Sequence, residues 1–198
     1  MPAIGITGGI STGKTTFCDC LRETLPDARF YNADQAARQL VDQDLEVQRA
    51  IREAFGPAIY SADGHLNRGA LRAIVFQDAA RKSVLEQILH PRIRRQWSAE
   101  ARTYRSSPDF FFADIPLLYE TGGETLCDFV LVVACSPEIQ RERLLARSRL
   151  APGEADEMIR TQMPLIEKMK RASHVVWNND GREVLAAQAR GLVALWQK

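Results

Sequence analysis

The chain has 198 residues, of which 45% are hydrophobic and 26% charged, and its formal net charge is +1. This length and composition allow a sizeable core, built as one domain with an insertion or as two small lobes. The balanced charge indicates neither a nucleic-acid nor a membrane partner, no apolar run reaches membrane-spanning length, and nothing indicates an obligate protein partner. The four cysteines lack the spacing of zinc ligands and the N-terminus lacks a signal-peptide pattern, so we expect free thiols and a cytoplasmic location.

The first predicted elements are a strand, a glycine-rich loop and a helix. The strand Ile4–Thr7 leads into a complete G-x-x-x-x-G-K-T motif at Gly8–Thr15, and the helix Lys14–Leu25 follows. Backbone N–H groups of such a loop and the positive end of the helix dipole together form an anion site. The lysine reaches the β- and γ-phosphates and the threonine hydroxyl ligates Mg²⁺, so the motif predicts binding of a nucleoside triphosphate. The residues expected to hold ATP here are Gly8, Gly9, Ile10, Ser11, Thr12, Gly13, Lys14, Thr15 and Thr16.

The following elements alternate between strands and helices, with a long helical stretch between the second and third strands. Near-continuous apolar runs mark the later strands, as expected of parallel strands that are buried on both faces. The predicted strands are 29–31, 110–114, 129–134 and 175–177, and the predicted helices are 35–41, 45–55, 68–76, 79–104, 137–146, 155–172 and 182–197, with a turn at 61–64.

This order of elements predicts an α/β fold of the P-loop NTPase type. A parallel sheet of about five strands would be flanked by helices and would carry a helical substrate-binding insertion and a small helical lid. Such a layout suits a small-molecule kinase, which holds a second substrate and closes a lid to exclude water. The expected boundaries are 1–34, 106–147 and 173–198 for the nucleotide-binding core, 35–105 for the insertion and 148–172 for the lid.

Three charged residues stand at positions that suit phosphoryl transfer. Asp34 follows the second strand, at the edge where α/β sheets bind ligands, and is either the base for an attacking hydroxyl or the N-cap of the next helix. Asp114 closes a hydrophobic strand, which suits a position near Mg²⁺ or an ordinary turn. Arg147 precedes a Pro-Gly break and could stabilise the transferring phosphoryl group from a lid.

Two further features are a proline within a helix and a turn after the last strand. His90-Pro91 interrupts a helical pattern, because proline disfavours helix at the residue before it, and this predicts a kink. The turn at 178–181 could contact an adenine base through Asn179 and the backbone at Gly181, or be a turn alone.

Together these motifs resemble those of the dephospho-coenzyme A kinase family over nearly the whole chain. The matching segments are 6–10, 33–34, 85–91, 114–120, 136–138, Arg143, Arg147 and 179–181, with Leu-His-Pro at 89–91 and Pro-Leu-Leu-Tyr-Glu at 116–120 the most specific. The resemblance implies Mg²⁺-dependent transfer of phosphate from ATP to the ribose 3′-hydroxyl of dephospho-CoA, the last step of coenzyme A synthesis. It implies that Asp34 is the base and that Lys14 and Arg147 stabilise the phosphoryl group. The acceptor pocket would be bordered by Thr7, Asp34, His90, Leu117, Tyr119 and Glu120.

The chain also departs from the family's pattern. Asn32 stands where the first aspartate of Asp-Ala-Asp is usual, and Ser11-Thr12 replace glycine and serine, which stiffens the loop. Ser173-His174 and Asn178-Asn179 replace the more usual Ala-Asp and Asp-Asn pairs. Three alternatives therefore stay open: a kinase for a nucleoside, nucleotide or sugar; a catalytically weakened nucleotide-binding homologue; and a nucleotide-dependent switch.

Overall fold

A five-stranded sheet in the order β2-β3-β1-β4-β5 organises the nucleotide-binding part of the fold. The computed structural model describes residues 2–61, 63–148 and 150–197. β1 pairs in parallel with β3 and β4, and β4 pairs in parallel with β5, so the predicted α/β class is confirmed. The strands are β1 (Ala3–Gly8), β2 (Arg29–Asn32), β3 (Phe111–Asp114), β4 (Phe129–Ala134) and β5 (His174–Trp177).

The helices agree with the predicted pattern except in the segment after β4. They are α1 (Lys14–Thr24), α2 (Ala33–Gln43), α3 (Leu45–Phe55), α4 (Arg68–Gln77), α5 (Ala79–Tyr104), α6 (Pro137–Arg147), α7 (Pro152–Arg160), α8 (Leu165–Arg171) and α9 (Arg182–Trp196), with short 3₁₀ turns at Pro57–Ile59 and Gly123–Leu126. None of these helices is long and apolar enough to cross a membrane.

The prediction of one helix over 155–172 is wrong, because two helices with a break between them occupy this region. Pro164 lies in the break, where proline removes a helical hydrogen-bond donor and its ring clashes with the preceding turn. The first of the two helices begins early, at Pro152, a residue type that favours the first helical position. Of the predicted features nearby, Arg149 in the expected lid and Ala62 in the expected turn at 61–64 lie outside the described residues.

α5 continues through Pro91, so the proline does not end the helix. The ring leaves a carbonyl of the preceding turn without its usual donor. Close to this point, the Arg92 side chain donates to the Ile88 carbonyl oxygen at 2.9 Å.

Contacts group the chain into two units, Met1–Tyr31 with Ala101–Lys198, and Asn32–Glu100. In the first unit, fully buried side chains of β1 and β4 pack beneath Phe17 and Leu21 of α1 and Leu185 and Ala189 of α9. Each large apolar side chain buried in this way stabilises the fold by roughly 1.5–3 kcal/mol. The roles of core, acceptor-binding insertion and lid remain predictions.

The second unit has its own core, in which α2, α3 and α4 contribute Leu40, Val47, Ile51 and Leu71. Tyr60 is buried among them and donates its hydroxyl to the Val41 carbonyl oxygen at 3.1 Å. Because its polar atom is satisfied, this ring fastens the loop after α3 to α2 without a desolvation penalty.

One departure from the family's pattern has a structural explanation at the edge of the sheet. His174 accepts a hydrogen bond from the Trp196 indole at 3.2 Å, and its ring packs edge-on against the same indole. Ser173 accepts a hydrogen bond from the Val130 amide at 3.1 Å through its hydroxyl. These two residues therefore join β5 to α9 and β4.

Candidate active site

The P-loop, residues Gly8–Thr15, connects β1 to α1 in a conformation that two of its glycines make possible. A Cβ atom at Gly8 would lie 2.5 Å from the Val133 carbonyl oxygen, so only glycine lets the loop leave β1 this close to β4. Gly13 has a φ of 89°, in the left-handed region that favours glycine, and α1 begins at the next residue. The loop amides thus precede a helix N-terminus, as an anion site requires.

Ser11 and Thr12, the two atypical loop residues, have different environments. The Thr12 side chain is fully buried and its hydroxyl donates to the Gly9 carbonyl oxygen at 2.9 Å, which closes the loop on itself. Ser11 has a φ of 59°, and its hydroxyl is buried without a hydrogen-bond partner among the described residues. A buried hydroxyl without a partner is costly, and a bound phosphate oxygen would relieve that cost.

Three side chains from other parts of the chain form hydrogen bonds with the backbone of the P-loop, and none of them was predicted from the sequence. Asn178 donates to the Thr12 carbonyl oxygen at 2.8 Å, and Gln140 donates to the Ile10 carbonyl oxygen at 2.9 Å. Gln162, in the break between α7 and α8, accepts a hydrogen bond from the Ile10 amide at 2.9 Å. The partners are more than 100 residues apart in the chain, so no local pattern could have revealed them.

Lys14 and Asp114 are brought together as an ion pair at the carboxyl ends of β1 and β3. The strand register places Asp114 beside Ile6, and its carboxylate is almost fully buried. The lysine predicted to bind phosphate and the carboxylate predicted to lie near Mg²⁺ are therefore in direct contact. Thr15 and Thr16 are exposed in the first turn of α1.

Lys168 is a fully buried lysine that the sequence analysis did not identify. Its ammonium group donates to Glu120 at 2.9 Å, to the Pro116 carbonyl oxygen at 2.9 Å and to the Gly8 carbonyl oxygen at 3.3 Å. Burial lowers the pKa of Lys168, while the Glu120 carboxylate acts in the opposite direction. In the sequence it is one of three cations in the last turn of α8, and nothing marks it as different from a surface residue.

The segment 116–120, which the resemblance places at the acceptor pocket, is fixed by several contacts. Thr7 donates its hydroxyl to the Pro116 carbonyl oxygen at 2.9 Å, and Glu120 accepts a hydrogen bond from the Met163 amide at 2.9 Å. Tyr119 lies under the Arg171 guanidinium, 4.3 Å from its ring centre, and its hydroxyl has no hydrogen-bond partner in the described part of the chain. Burial raises the pKa of Tyr119 to about 12, so its hydroxyl remains a donor at neutral pH. Leu117 is half-buried.

The two arginines of α6 have different surroundings. Arg147, the predicted lid residue, is exposed at the end of the helix and contacts no described residue through a hydrogen bond or ion pair. Arg143, one turn earlier, donates to the Asn178 carbonyl oxygen at 2.8 Å and lies beside Gly13 of the P-loop. A positive charge therefore stands next to the loop at Arg143, and the role of Arg147 remains a prediction.

The turn after β5 is also joined to the region around the loop. Asn179 accepts a hydrogen bond from the Ser136 amide at 2.9 Å, and Gly181 is the N-cap of α9. Contact of either residue with adenine remains a prediction.

Asp34 and His90 belong to the second unit. Asn32, not Asp34, is the N-cap of α2, because its side-chain oxygen accepts a hydrogen bond from the Gln35 amide at 2.8 Å. The alternative that Asp34 caps the helix is thereby removed. The residue is exposed in the first turn of α2. Asn32 performs a capping role that the aspartate usual in the family could also fill. His90 is half-buried within α5.

Comparisons with known proteins agree on one family. The family model described as dephospho-CoA kinase matches residues 2–183. The dephospho-CoA kinase of Anaeromyxobacter dehalogenans is 42% identical over 195 residues, which are 98% of this chain and 92% of that protein.

Solved structures give the same result for the fold. A crystal structure from Thermus thermophilus has a TM-score of 0.75 at 34% identity and covers 99% of this chain and 96% of its own. The dephospho-CoA kinase of Campylobacter jejuni, at 23% identity, has a TM-score of 0.68, covers 98% and 96% of the two chains, and supports the fold alone. With a family model spanning most of its length and a relative at 42% identity, the chain belongs to the dephospho-CoA kinase family.

Proposed function

We propose that this kinase transfers the γ-phosphate of ATP to the ribose 3′-hydroxyl of dephospho-CoA, the step that completes coenzyme A. The observation that carries the proposal is the P-loop with its Lys14–Asp114 pair, within a chain that matches the family over nearly its full length. We also propose a cytoplasmic location, because ATP is present there and the four cysteines, all free thiols, suit a reducing compartment.

Phosphoryl transfer requires mainly positioning and charge stabilisation from the protein. In our proposal the loop residues 8–16 hold the phosphates, Lys14 and Arg147 stabilise the transferred group, and Asp34 accepts the proton of the attacking hydroxyl. Residues 179 and 181 contact the adenine, and the acceptor is bordered by Thr7, His90, Leu117, Tyr119 and Glu120. The exposure of the Asp34 carboxylate supports its role, since it is free of the capping bond that Asn32 makes.

The residues near the P-loop fit Mg²⁺. Asp114 offers a carboxylate and Thr15 a hydroxyl, both of which are hard oxygen ligands. Mg²⁺ in kinases is bound through one or two protein oxygens together with substrate phosphates, and such a cation would neutralise charge on the β- and γ-phosphates. We therefore propose Mg²⁺ as the cofactor, with Thr15 and Asp114 as the residues that would hold it.

The base assignment is tested by the Asp34→Asn variant, which keeps the shape of the side chain and removes the proton acceptor. We expect kcat with Mg-ATP and dephospho-CoA to fall by about 10²–10⁴-fold while ATP affinity is retained, since general-base catalysis contributes that much. The matched control is Asp27→Asn, a change at an exposed carboxylate between α1 and β2, which should leave kcat unchanged.

Two results would contradict the proposal. Undiminished turnover by Asp34→Asn would remove Asp34 from the role of base. A panel of acceptors in an ADP-release assay tests the substrate, and a clear preference of the unaltered protein for a nucleoside, nucleotide or sugar over dephospho-CoA would show that the acceptor is wrong.

A further inference from the structure

A cavity of about 530 Å³ in the second unit is lined by three arginines and a glycine. Arg38 comes from α2, and Arg68, Gly69 and Arg72 come from the start of α4. The two helices share the apolar core of this unit through Leu40, Val41 and Leu71, so the arginines project from a packed scaffold.

The cavity carries two positive charges that no protein carboxylate neutralises among the described residues. The Nη2 atom of Arg68 donates to both carboxylate oxygens of Asp42, at 2.9 Å and 2.7 Å, so the charge of this arginine is compensated. Arg38 and Arg72 form no hydrogen bond or ion pair with any residue that the structure describes. Both arginines are exposed to solvent, and guanidinium groups bind phosphate oxygens in bidentate geometry. Two arginines that line one cavity without a carboxylate partner therefore suit a ligand that carries phosphate.

The cavity lies one helical turn from the proposed base. Asp34 and Arg38 are four residues apart on α2, so they lie on the same face of the helix. The Asp42–Arg68 pair joins the end of α2 to the start of α4. Arg38 lies one turn before Asp42 on α2 and Arg72 lies one turn after Arg68 on α4, and both line the cavity. By this pairing the two helices run in opposite directions along the cavity. Asp34 lies one turn beyond Arg38 on α2, on the side away from the Asp42–Arg68 pair.

We propose that this arginine cavity binds the diphosphate of the acceptor, an inference that rests on the proposed function. Dephospho-CoA carries a diphosphate diester on the 5′-carbon of the ribose whose 3′-hydroxyl is phosphorylated. The 3′-oxygen and the 5′-oxygen of this ribose are separated by one sugar ring, a span comparable to one turn of helix, about 5.4 Å. The two negative charges of the diester match the two uncompensated charges of Arg38 and Arg72. The cavity thus selects acceptors with a 5′-diphosphate and places the ribose against Asp34.

The test compares acceptors with and without a diphosphate in the Arg38→Gln and Arg72→Gln variants and in the double variant. We expect the KM for dephospho-CoA to rise about tenfold in each single variant, as for the loss of one charge-assisted hydrogen bond, and further in the double variant. The KM for ATP should not change. Adenosine lacks the diphosphate, so we expect its turnover to be slow and to be equal in the variants and the unaltered protein. Inorganic pyrophosphate should compete with dephospho-CoA less well in the variants.

The matched control is Arg49→Gln in the same unit, where the arginine is 83% exposed and pairs with Glu53 outside the cavity. It should leave every kinetic constant unchanged. Unchanged KM for dephospho-CoA in Arg38→Gln and Arg72→Gln, or an equal loss with adenosine, would overturn the diphosphate site. Failure of the unaltered protein to phosphorylate dephospho-CoA would instead overturn the proposed function, so the two failures are distinguishable.

Discussion

Lys168 joins three segments of the first unit that are far apart in the chain. Its ammonium group connects α8 to the first residue of the P-loop and to the segment after β3, through Gly8, Pro116 and Glu120. Three donors meet three acceptors, which satisfies a charge that would otherwise be costly to bury. Lys168 is thus a positioning residue for the start of the P-loop.

Replacement of Lys168 by methionine should lower the free energy of unfolding by about 3 kcal/mol, because the buried partners lose their donor. The double variant Lys168→Met/Glu120→Gln should recover part of this loss, since no uncompensated carboxylate remains. Urea unfolding measures both changes. The control is Lys170→Met on the same helix, whose exposed pair with Glu167 should contribute less than about 1 kcal/mol. Strictly additive effects in the double variant would show that the two side chains do not act as a pair.

At the scale of elements, the P-loop depends on the turn after β5 as well as on its own sequence. Asn178 holds the Thr12 carbonyl oxygen and is itself held by Arg143 of α6. This chain of contacts fixes the end of the loop where α1 begins. A looser loop would align its amides less well with phosphate, so we expect ATP binding to depend on Asn178.

The Asn178→Ala variant should raise the KM for ATP about tenfold and leave the KM for dephospho-CoA unchanged, because a buried hydrogen bond to the loop is lost. The matched control is Gln188→Ala, which removes two hydrogen bonds to the backbone of Trp177, the last residue of β5, at a side chain that has no hydrogen bond to the loop among the described residues. Steady-state kinetics with each substrate varied in turn provides the measurement. Equal effects of the two variants on the KM for ATP would indicate general loosening of the sheet edge and contradict a specific role for Asn178.

Elements with local signals could be predicted from the sequence. α3 begins at Leu45 as expected because Asp44 caps it, and the P-loop follows from contiguous residues. The break between α7 and α8 was missed because helical spacing of apolar residues continues across Pro164. Lys168, Gln162 and Asn178 act through contacts between residues that are far apart in the chain, and Arg38 and Arg72 come together only when α2 packs on α4. Such pairings have no signature in a single sequence.

At the scale of the whole molecule, the proposed chemistry is divided between the two units. The P-loop and the Lys14–Asp114 pair belong to the first unit, whereas Asp34 and the arginine cavity belong to the second. Substitutions at Asn178 and at Arg72 should therefore change the KM of different substrates. Asn178 belongs to the unit whose core is built on the sheet, and Arg72 belongs to the unit whose core is built by α2, α3 and α4.

The folded molecule should lose stability at alkaline pH, because burial raises the pKa of its free thiols. Burial raises the pKa of Cys18 and of Cys127 to about 12, from an ordinary value of 9.0. Above the ordinary value the thiols ionise in the unfolded chain and stay protonated in the folded protein. The folded state then binds more protons, and stability falls as pH rises from 9.0 towards about 12.

Each buried thiol should reduce the free energy of unfolding by about 1.4 kcal/mol per pH unit within this window. Urea unfolding under reducing conditions, at pH values from about 8 to about 10.5, measures the slope. Cys18→Ala should have a slope smaller by about one proton, although the lost sulfur atom lowers its stability at neutral pH. Ionisations of exposed groups are common to both proteins and cancel in the difference. An identical slope in the two proteins would show that Cys18 titrates alike in the folded and unfolded states, and would contradict the effect expected from its burial in the core of the first unit.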